Sequence, residues 1–426
     1  MISLFYSQII AHLTEIISMA LNALYVDFNS YFASVEQQLQ PELRGKPIGI
    51  LAVMAETTCC IAASYEAKAF GIKTGTGVRD ARKLCKDIIF VEARPPLYVE
   101  HHHKLIEIVE SCTHVEKVLS IDEMVCKLTG SQKIKDNALK LAANIKQAVY
   151  KQYPHILCSI GIAPNTFLAK TASNMQKPDG CVVIEDSDIP HKLYALKLRD
   201  LNGIGRQMEE RLKRFKINTV EQLYALNRDQ LRSAWGSIEG ERYYDKLRGI
   251  EPFYVKNARS SLGHSHVLPP EQRNLVGAKA VLHRLLQKAA MRMRSYGLLT
   301  TRISIKVKLR DQPSLYNESA ISATDSTLTL IQALETLWQQ FPLRGVEPIA
   351  VGVNFSGLTN AEEAAYDLFA PKTSDTEKKL NKALDVLNLK YGKNTVYFAG
   401  AHHALKDAPM RIAFNHIPNM IIEDDG

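Results

Sequence analysis

At 426 residues, the chain exceeds what a single hydrophobic core supports, so about two to four domains are expected. Its 46% hydrophobic and 23% charged content excludes a disordered chain, and no apolar run reaches the roughly 18 residues needed to span a membrane. A formal charge of +8 favours a polyanionic partner, and seven cysteines without a C-x-x-C pair argue against a disulfide framework or zinc site and for a reducing compartment.

Residues 1–18 are apolar, but Glu15 interrupts them and the first Lys or Arg of the chain is Arg44, so the basic start of a secretory signal is missing. Met19 stands just ahead of the first convincing strand, so the natural start is expected there; a short amphipathic N-terminal helix is the alternative. Residues 24–26 read as a buried strand ending in Asp27. Residues 28–38 read as a helix with Phe28, Phe32 and Val35 on one side. An acid at the end of a core strand is where α/β sheets place ligand chemistry, although a helix cap by Asp27 or Asn29 explains it as well.

A strand within GKPIGILAV leads to TTCCIAASYEAKAFGIKTG, where the small residues Cys60, Ala62 and Ala63 allow close approach of another surface. His101, His102 and His103 fall in a helix predicted over 97–112; helical neighbours diverge by about 100°, so the three cannot face one ion and read as structural. In VLSIDEMVCKL, residues 118–128, Asp122 and Glu123 interrupt what is otherwise a buried strand. At a hairpin turn two such acids can converge, and adjacent buried anions repel unless a cation lies between them. A metal site is one reading; an exposed acidic turn is the other.

A helix over 136–150 and a buried strand over 157–162 precede APNTFLAKTASNMQKPDG. Residues 199–212 (RDLNGIGRQMEERL) read as helix–turn–helix around Gly203 and Gly205, just before the basic KRFK. From 256 to 310 there are twelve Lys or Arg against one acid, Glu271. The strand expected over 301–310 alternates: Ile303, Ile305, Val307 and Leu309 point inward, while Arg302, Lys306, Lys308 and Arg310 point outward with Ser304. Such one-sided charge is either a solvated face or a footprint for a phosphate backbone. After Gly357 the chain turns acidic and loop-like, and a last helix is expected over 377–391.

YVDFNSYFASVEQ (residues 25–37) resembles the first motif of the Y-family, the translesion DNA polymerases. SIDEM resembles the second carboxylate motif of that family, and APNTFLAKTASNMQKPDG the third. The likeness runs from about residue 19 to 355 and includes both polymerase IV-like and polymerase V-like bacterial members. It implies an α/β multidomain right hand. The palm would be a mixed, largely antiparallel sheet (19–30 and 97–186), with small fingers at 31–96. A helical thumb with a helix-hairpin-helix would follow at 187–252, an α+β little finger at 256–358, and a C-terminal tail at 359–426.

Phosphoryl transfer to a 3′-hydroxyl needs two divalent ions clamping the attacking and leaving oxygens, and hard Mg²⁺ takes oxygen ligands. By the resemblance, Asp27 and Asp122 share two Mg²⁺ ions, for which Mn²⁺ can substitute. Glu123 holds the ion beside the primer 3′-oxygen, and the Phe28 carbonyl completes the nucleotide-side ion. Asn29 departs from the commoner Asp, as in the catalytic subunit of polymerase V, at a position not essential to the clamp. Phe32 is the steric gate against a 2′-hydroxyl. Tyr65, Lys68 and Lys170 bind the triphosphate; Lys68 replaces an Arg, so a bidentate fork becomes a point charge. Lys177 is a weaker candidate that otherwise reads as a surface loop lysine.

The resemblance further implies that Gly203 and Gly205 hold a DNA phosphate without reading its base. Arg302, Lys306, Lys308 and Arg310 would track the backbone from the little finger. Tyr366–Asp367–Leu368–Phe369 partly resembles the sliding-clamp peptide of bacterial polymerases, with Leu368 and Phe369 present and the leading Gln missing. Residues 395–418 resemble polymerase V-like tails. The expected activity is template-directed, low-fidelity DNA synthesis past lesions in DNA damage tolerance. The expected partners are primer–template DNA, dNTP, a sliding clamp and accessory mutagenesis subunits, for a cytoplasmic monomer. A catalytically dead clamp-bound adaptor would be expected to lose the three carboxylates. A nucleotidyl cyclase would not explain the helix-hairpin-helix or the basic domain.

Overall fold

The structure, a computed structural model, describes residues 20–254, 259–342, 345–362, 375–392, 395–407 and 417. Strand β1 (Ala23–Phe28) is buried on both faces, which is why ALYVDF reads as an unbroken apolar run around one acid. It extends past Asp27 to Phe28, and the helix that follows is Tyr31–Leu39 rather than 28–38. Asn29 and Ser30 make the turn between them, with Ser30 in the left-handed region at φ 50°.

The chain then builds a small sheet, in the order β3-β2-β4, from β2 (Ile48–Leu51), β3 (Cys60–Ala63) and β4 (Ile89–Glu92). It returns through the helix Pro95–Cys112 to β5 (Val115–Ser120), β6 (Glu123–Lys127), β7 (Cys158–Ala163) and β8 (Cys181–Val183). With β1 these form a mixed five-stranded sheet in the order β5-β6-β1-β7-β8, antiparallel except for the β7–β8 pair. One face buries Leu24, Val26 and Phe28 against the helices Pro95–Cys112 and Lys135–Gln152. The other buries Tyr25 and Val125 with Leu168 and Ala172 of the helix Thr166–Met175. Gly161 of β7 makes that contact close: a Cβ there would lie 1.9 Å from the Ala169 carbonyl oxygen. The strand period therefore sends Asp27 to the same side as Tyr25, toward the helix that carries Lys170.

His101 and His102 are buried on the Pro95–Cys112 helix, and His101 Nδ1 meets the Tyr153 hydroxyl at 3.1 Å. Burial, and then the neighbouring His103, push the His102 imidazole down from 6.5 to about 4. Between those values the unfolded chain takes up a proton that the folded palm refuses. Stability from this residue is thus present above pH 6.5 and lost as pH falls toward 4. Urea titrations of wild type should lose up to about 3 kcal/mol over that window, and His102→Leu should flatten the loss. An unchanged slope in the variant would refute this.

Short helices follow the palm. Asn165 ties them to it: its side chain accepts from the Leu168 N–H and donates to the carbonyls of Lys246 and Ile250, both at 2.9 Å. The segment before the Gly203 turn is a 3-10 turn, Leu198–Asp200, instead of the α-helix expected there; Arg206–Arg214 is the helix after it. Gly203 sits at φ +87°, a conformation that L side chains rarely adopt.

The last unit is an antiparallel sheet in the order β11-β10-β12-β9, from β9 (Ser261–Val267), β10 (Leu298–Leu309), β11 (Leu315–Thr324) and β12 (Pro348–Asn360). Ile303, Ile305, Val307 and Leu309 are buried with the helices Leu275–Ser295 and Thr327–Gln339. Arg302, Lys306, Lys308 and Arg310 are exposed, but Ser304, expected to be exposed with them, is only 6% so. The chain beyond β12 returns to this unit: Asp385 of the helix Asp375–Tyr391 forms a two-point ion pair with Arg294, at 2.6 and 2.8 Å. Ala404 enters the core of the unit, and Gly400 packs against the His283 ring. Among the described residues no helix is long and apolar enough to cross a membrane. The clamp-like residues Tyr366, Leu368 and Phe369 lie outside the described residues, as do residues 1–19.

Candidate active site

Asp27 and Glu123 are register partners on the antiparallel strands β1 and β6, so the sheet itself sets the two acids side by side. Asp122 closes the β5–β6 turn, and its carbonyl accepts the Phe28 N–H at 2.9 Å, locking that turn to the end of β1. Asp27 is 6% exposed. Burial is the largest influence on it, partly offset by Lys177 and reinforced by Asp122 and Glu123, and its carboxyl is pushed up to about 6. Burial also raises the Asp122 carboxyl, against a hydrogen bond from Ser120 that lowers it. Both shifts come chiefly from taking the carboxylates out of water, with the neighbouring acids adding to them.

Each carboxylate has a specific partner. Ser120 Oγ donates to Asp122 Oδ1 at 2.6 Å. Lys170, from the helix Thr166–Met175, donates to Glu123 Oε2 at 2.8 Å. Lys177 donates to Asp27 Oδ2 at 2.5 Å. Sequence reasoning held Lys177 only as a weaker nucleotide-contact candidate and did not single out Ser120, although both lie within the quoted second and third motifs. Among the described residues no trio of His, Cys, Asp or Glu is already closed around one point. The donor set nonetheless suits a hard divalent ion, because it consists of carboxylate oxygens on a rigid sheet.

Lys68 reaches the turn after β1, donating to Ser30 Oγ at 2.6 Å, and its ammonium lies 4.3 Å above the Tyr65 ring. Burial, then the charge of Asp27, push the Tyr65 hydroxyl up to about 12. The helix Tyr65–Ala69, capped by Ser64, thus faces the acids. Phe32 is half-buried and stacks on Tyr98, with ring centroids 4.5 Å apart and planes 13° from parallel. Tyr98 in turn donates to the buried Glu36 at 2.7 Å, and Arg94 pairs with Glu36. Asn29 is 2% exposed and turned into the protein: its Oδ1 accepts from the Asp179 N–H at 2.8 Å and from Ser159 Oγ at 3.2 Å.

The structure therefore gathers Asp27, Asp122, Glu123, Lys170, Lys68 and Tyr65 about the ends of β1 and β6. Gly203 and Gly205 stand at the start of the helix Arg206–Arg214. Arg302 and Arg310, on β10 and just after it, are held by Glu318 at 2.9 Å and Glu347 at 2.7 Å. Lys306 and Lys308 carry no ion pair among the described residues.

Carboxylates on two neighbouring antiparallel strands, faced by lysines from a crossing helix and from the helix Tyr65–Ala69, are the arrangement of a nucleic-acid polymerase palm. Profiles of known families place it further. Residues 26–174 match the impB/mucB/samB family, 259–368 its C-terminal domain, and 199–251 the DNA polymerase-iota thumb domain. A DNA polymerase IV of Moorella thermoacetica is 33% identical, covering 88% of this chain and 95% of its own length. One from Pelotomaculum thermopropionicum is 30% identical, covering 88% and 93%. The solved Y-family polymerase chimera of Dbh and Dpo4 superposes with a TM-score of 0.66 at 24% identity, over 79% of this chain and 99% of that one. The chain belongs to the Y-family of DNA polymerases. It is a DNA-directed DNA polymerase of the translesion class, with the palm, helix-hairpin-helix thumb and little-finger-like sheet of that fold; enzymes of this family use divalent metal ions.

Proposed function

We propose that Asp27, Asp122 and Glu123, with the Phe28 carbonyl, hold two Mg²⁺ ions and that the enzyme extends a DNA primer from dNTP at this site. The carrying observation is the side-by-side register of Asp27 and Glu123 with Asp122 locked to the same strand end. Bound metal would supply charge neutralisation at the attacking and leaving oxygens. The protein's own groups do the rest. Lys170, already at the acids, offers an ammonium to the leaving phosphates. Lys68 and Tyr65 orient the triphosphate from the fingers side, and Phe32 on its Tyr98 backing closes the floor below the sugar. One primer-extension assay with Mg²⁺ and four dNTPs tests this: extension is expected, and its absence from correctly folded enzyme would reject it.

DNA is held without base readout, by the Gly203–Gly205 turn of the thumb and the basic strand of the little finger. Domain limits near 31–96 for the fingers and 187–252 for the thumb follow the same reading. Binding should weaken linearly on a log–log plot against salt, with a slope of about −0.9 per phosphate contacted. Because Lys306 and Lys308 have no ion pair among the described residues, replacing each with Ala should lower the slope by about 0.9. A slope insensitive to both would exclude this face. Residues 366–369 are proposed to dock on a sliding clamp; Leu368→Ala with Phe369→Ala should remove clamp binding measured by surface plasmon resonance.

A further inference from the structure

We propose that Lys177 is a tethered cation that competes with divalent metal for Asp27, so that metal enters by exchanging places with an ammonium. The inference rests on the assignment of Asp27, Asp122 and Glu123 as the metal ligands. It starts from contact geometry: Lys177 Nζ lies 2.5 Å from Asp27 Oδ2, with the Asp27 side chain 8% exposed and that of Lys177 28%. The oxygen that the ammonium holds is one that a metal ion needs.

Lys177 is delivered by a loop with little freedom to withdraw. Two residues on, the Asp179 N–H donates to Asn29 Oδ1 at 2.8 Å, and Lys146 pairs with the Asp179 carboxylate at 2.9 Å. Ser159 Oγ bridges Asn29 Oδ1 at 3.2 Å and the Gln176 carbonyl at 3.3 Å, and the Gly180 N–H donates back to Ser159 Oγ at 3.3 Å. The loop bearing the competitor is thus fastened to the residue two places after its target. Asn29 suits this task as an amide, because its Nδ2 also donates to the Asp27 carbonyl at 3.3 Å. A carboxylate at position 29 would lose that donation and add a fourth anion beside Asp27.

A charge-assisted hydrogen bond of this kind must be broken before the carboxylate can turn to a metal, which lowers metal affinity until another anion takes the ammonium. An incoming triphosphate is such an anion, so metal and nucleotide binding become mutually reinforcing through one side chain. Lys177 is in this sense a positioning residue for metal entry.

The test is Mn²⁺ binding to the full chain without DNA or nucleotide, read as loss of the free-ion electron paramagnetic resonance signal. Lys177→Met is expected to bind Mn²⁺ about tenfold tighter than wild type. Asn29→Ala, which frees the loop and keeps the lysine, should move affinity the same way. Lys177→Arg should bind as wild type does. Lys68→Met removes equal charge from a lysine that holds Ser30 instead of a carboxylate, and should shift affinity by less than about twofold. Unchanged or weaker binding in Lys177→Met, or an equal gain in Lys68→Met, overturns the proposal. Adding Asp27→Asn to Lys177→Met should abolish the tight binding; if it persists, the ligand assignment itself falls.

Discussion

Primer extension by Asp122→Ala is expected to fall at least about 1,000-fold, equivalent to about 4 kcal/mol of transition-state stabilisation. Primer–template affinity should stay within about threefold, because the thumb turn and the basic strand lie on other elements. The size follows from where Asp122 sits. It is half-buried, next to Glu123 and near Asp27, and restrained by both Ser120 and the Phe28 N–H. No neighbouring acid can move in to replace it without breaking that turn. Single-turnover extension and fluorescence-anisotropy binding separate the two effects. Residual extension above a hundredth of wild type would remove Asp122 from the catalytic set.

Phe32→Ala is expected to cut discrimination between dNTP and rNTP by about 100-fold or more, read as the ratio of their kcat/KM values. In the proposed gate a 2′-hydroxyl would be excluded by occupied space, and that space is held by more than Phe32. Its ring lies flat on Tyr98, and Tyr98 is fixed by Glu36, which is itself paired with Arg94. Tyr98→Ala should therefore relax the same ratio in the same direction, but by less. Unchanged sugar discrimination in Phe32→Ala would reject the gate.

The acids were legible in the sequence because they break apolar runs, and a broken run needs a reason. The strands around them were legible for the same cause: ALYVDF and CSIGIA are buried on both faces. What could not be read was which loop folds back. Nothing in QKPDG signals that Lys177 meets Asp27, since that contact depends on a loop gripped by Ser159 of β7 and by Asn29 in the turn after β1. The helix expected before Gly203 proved to be a 3-10 turn because only Leu198–Asp200 lies between the preceding loop and the hairpin. Ser304 was assigned to solvent by strand parity, yet it is nearly covered on the central strand β10. Parity assigns a side of the sheet, not the neighbours that stand on it.

The return of residues 375–392 and 395–407 onto the last sheet unit changes how that unit can be transplanted. The Arg294 side chain is only 12% exposed, and its ion pair with Asp385 ties the helix Asp375–Tyr391 to the helix Leu275–Ser295. A graft ending at β12 would take away that guanidinium's carboxylate, leaving it the Asp325 carbonyl and the Thr327 hydroxyl, and uncover the site filled by Ala404. Exchange of this unit with a relative, or its expression alone, should use residues 259–407 as the portable module. A shorter piece should come out sticky and thermally weaker, however complete its four strands look.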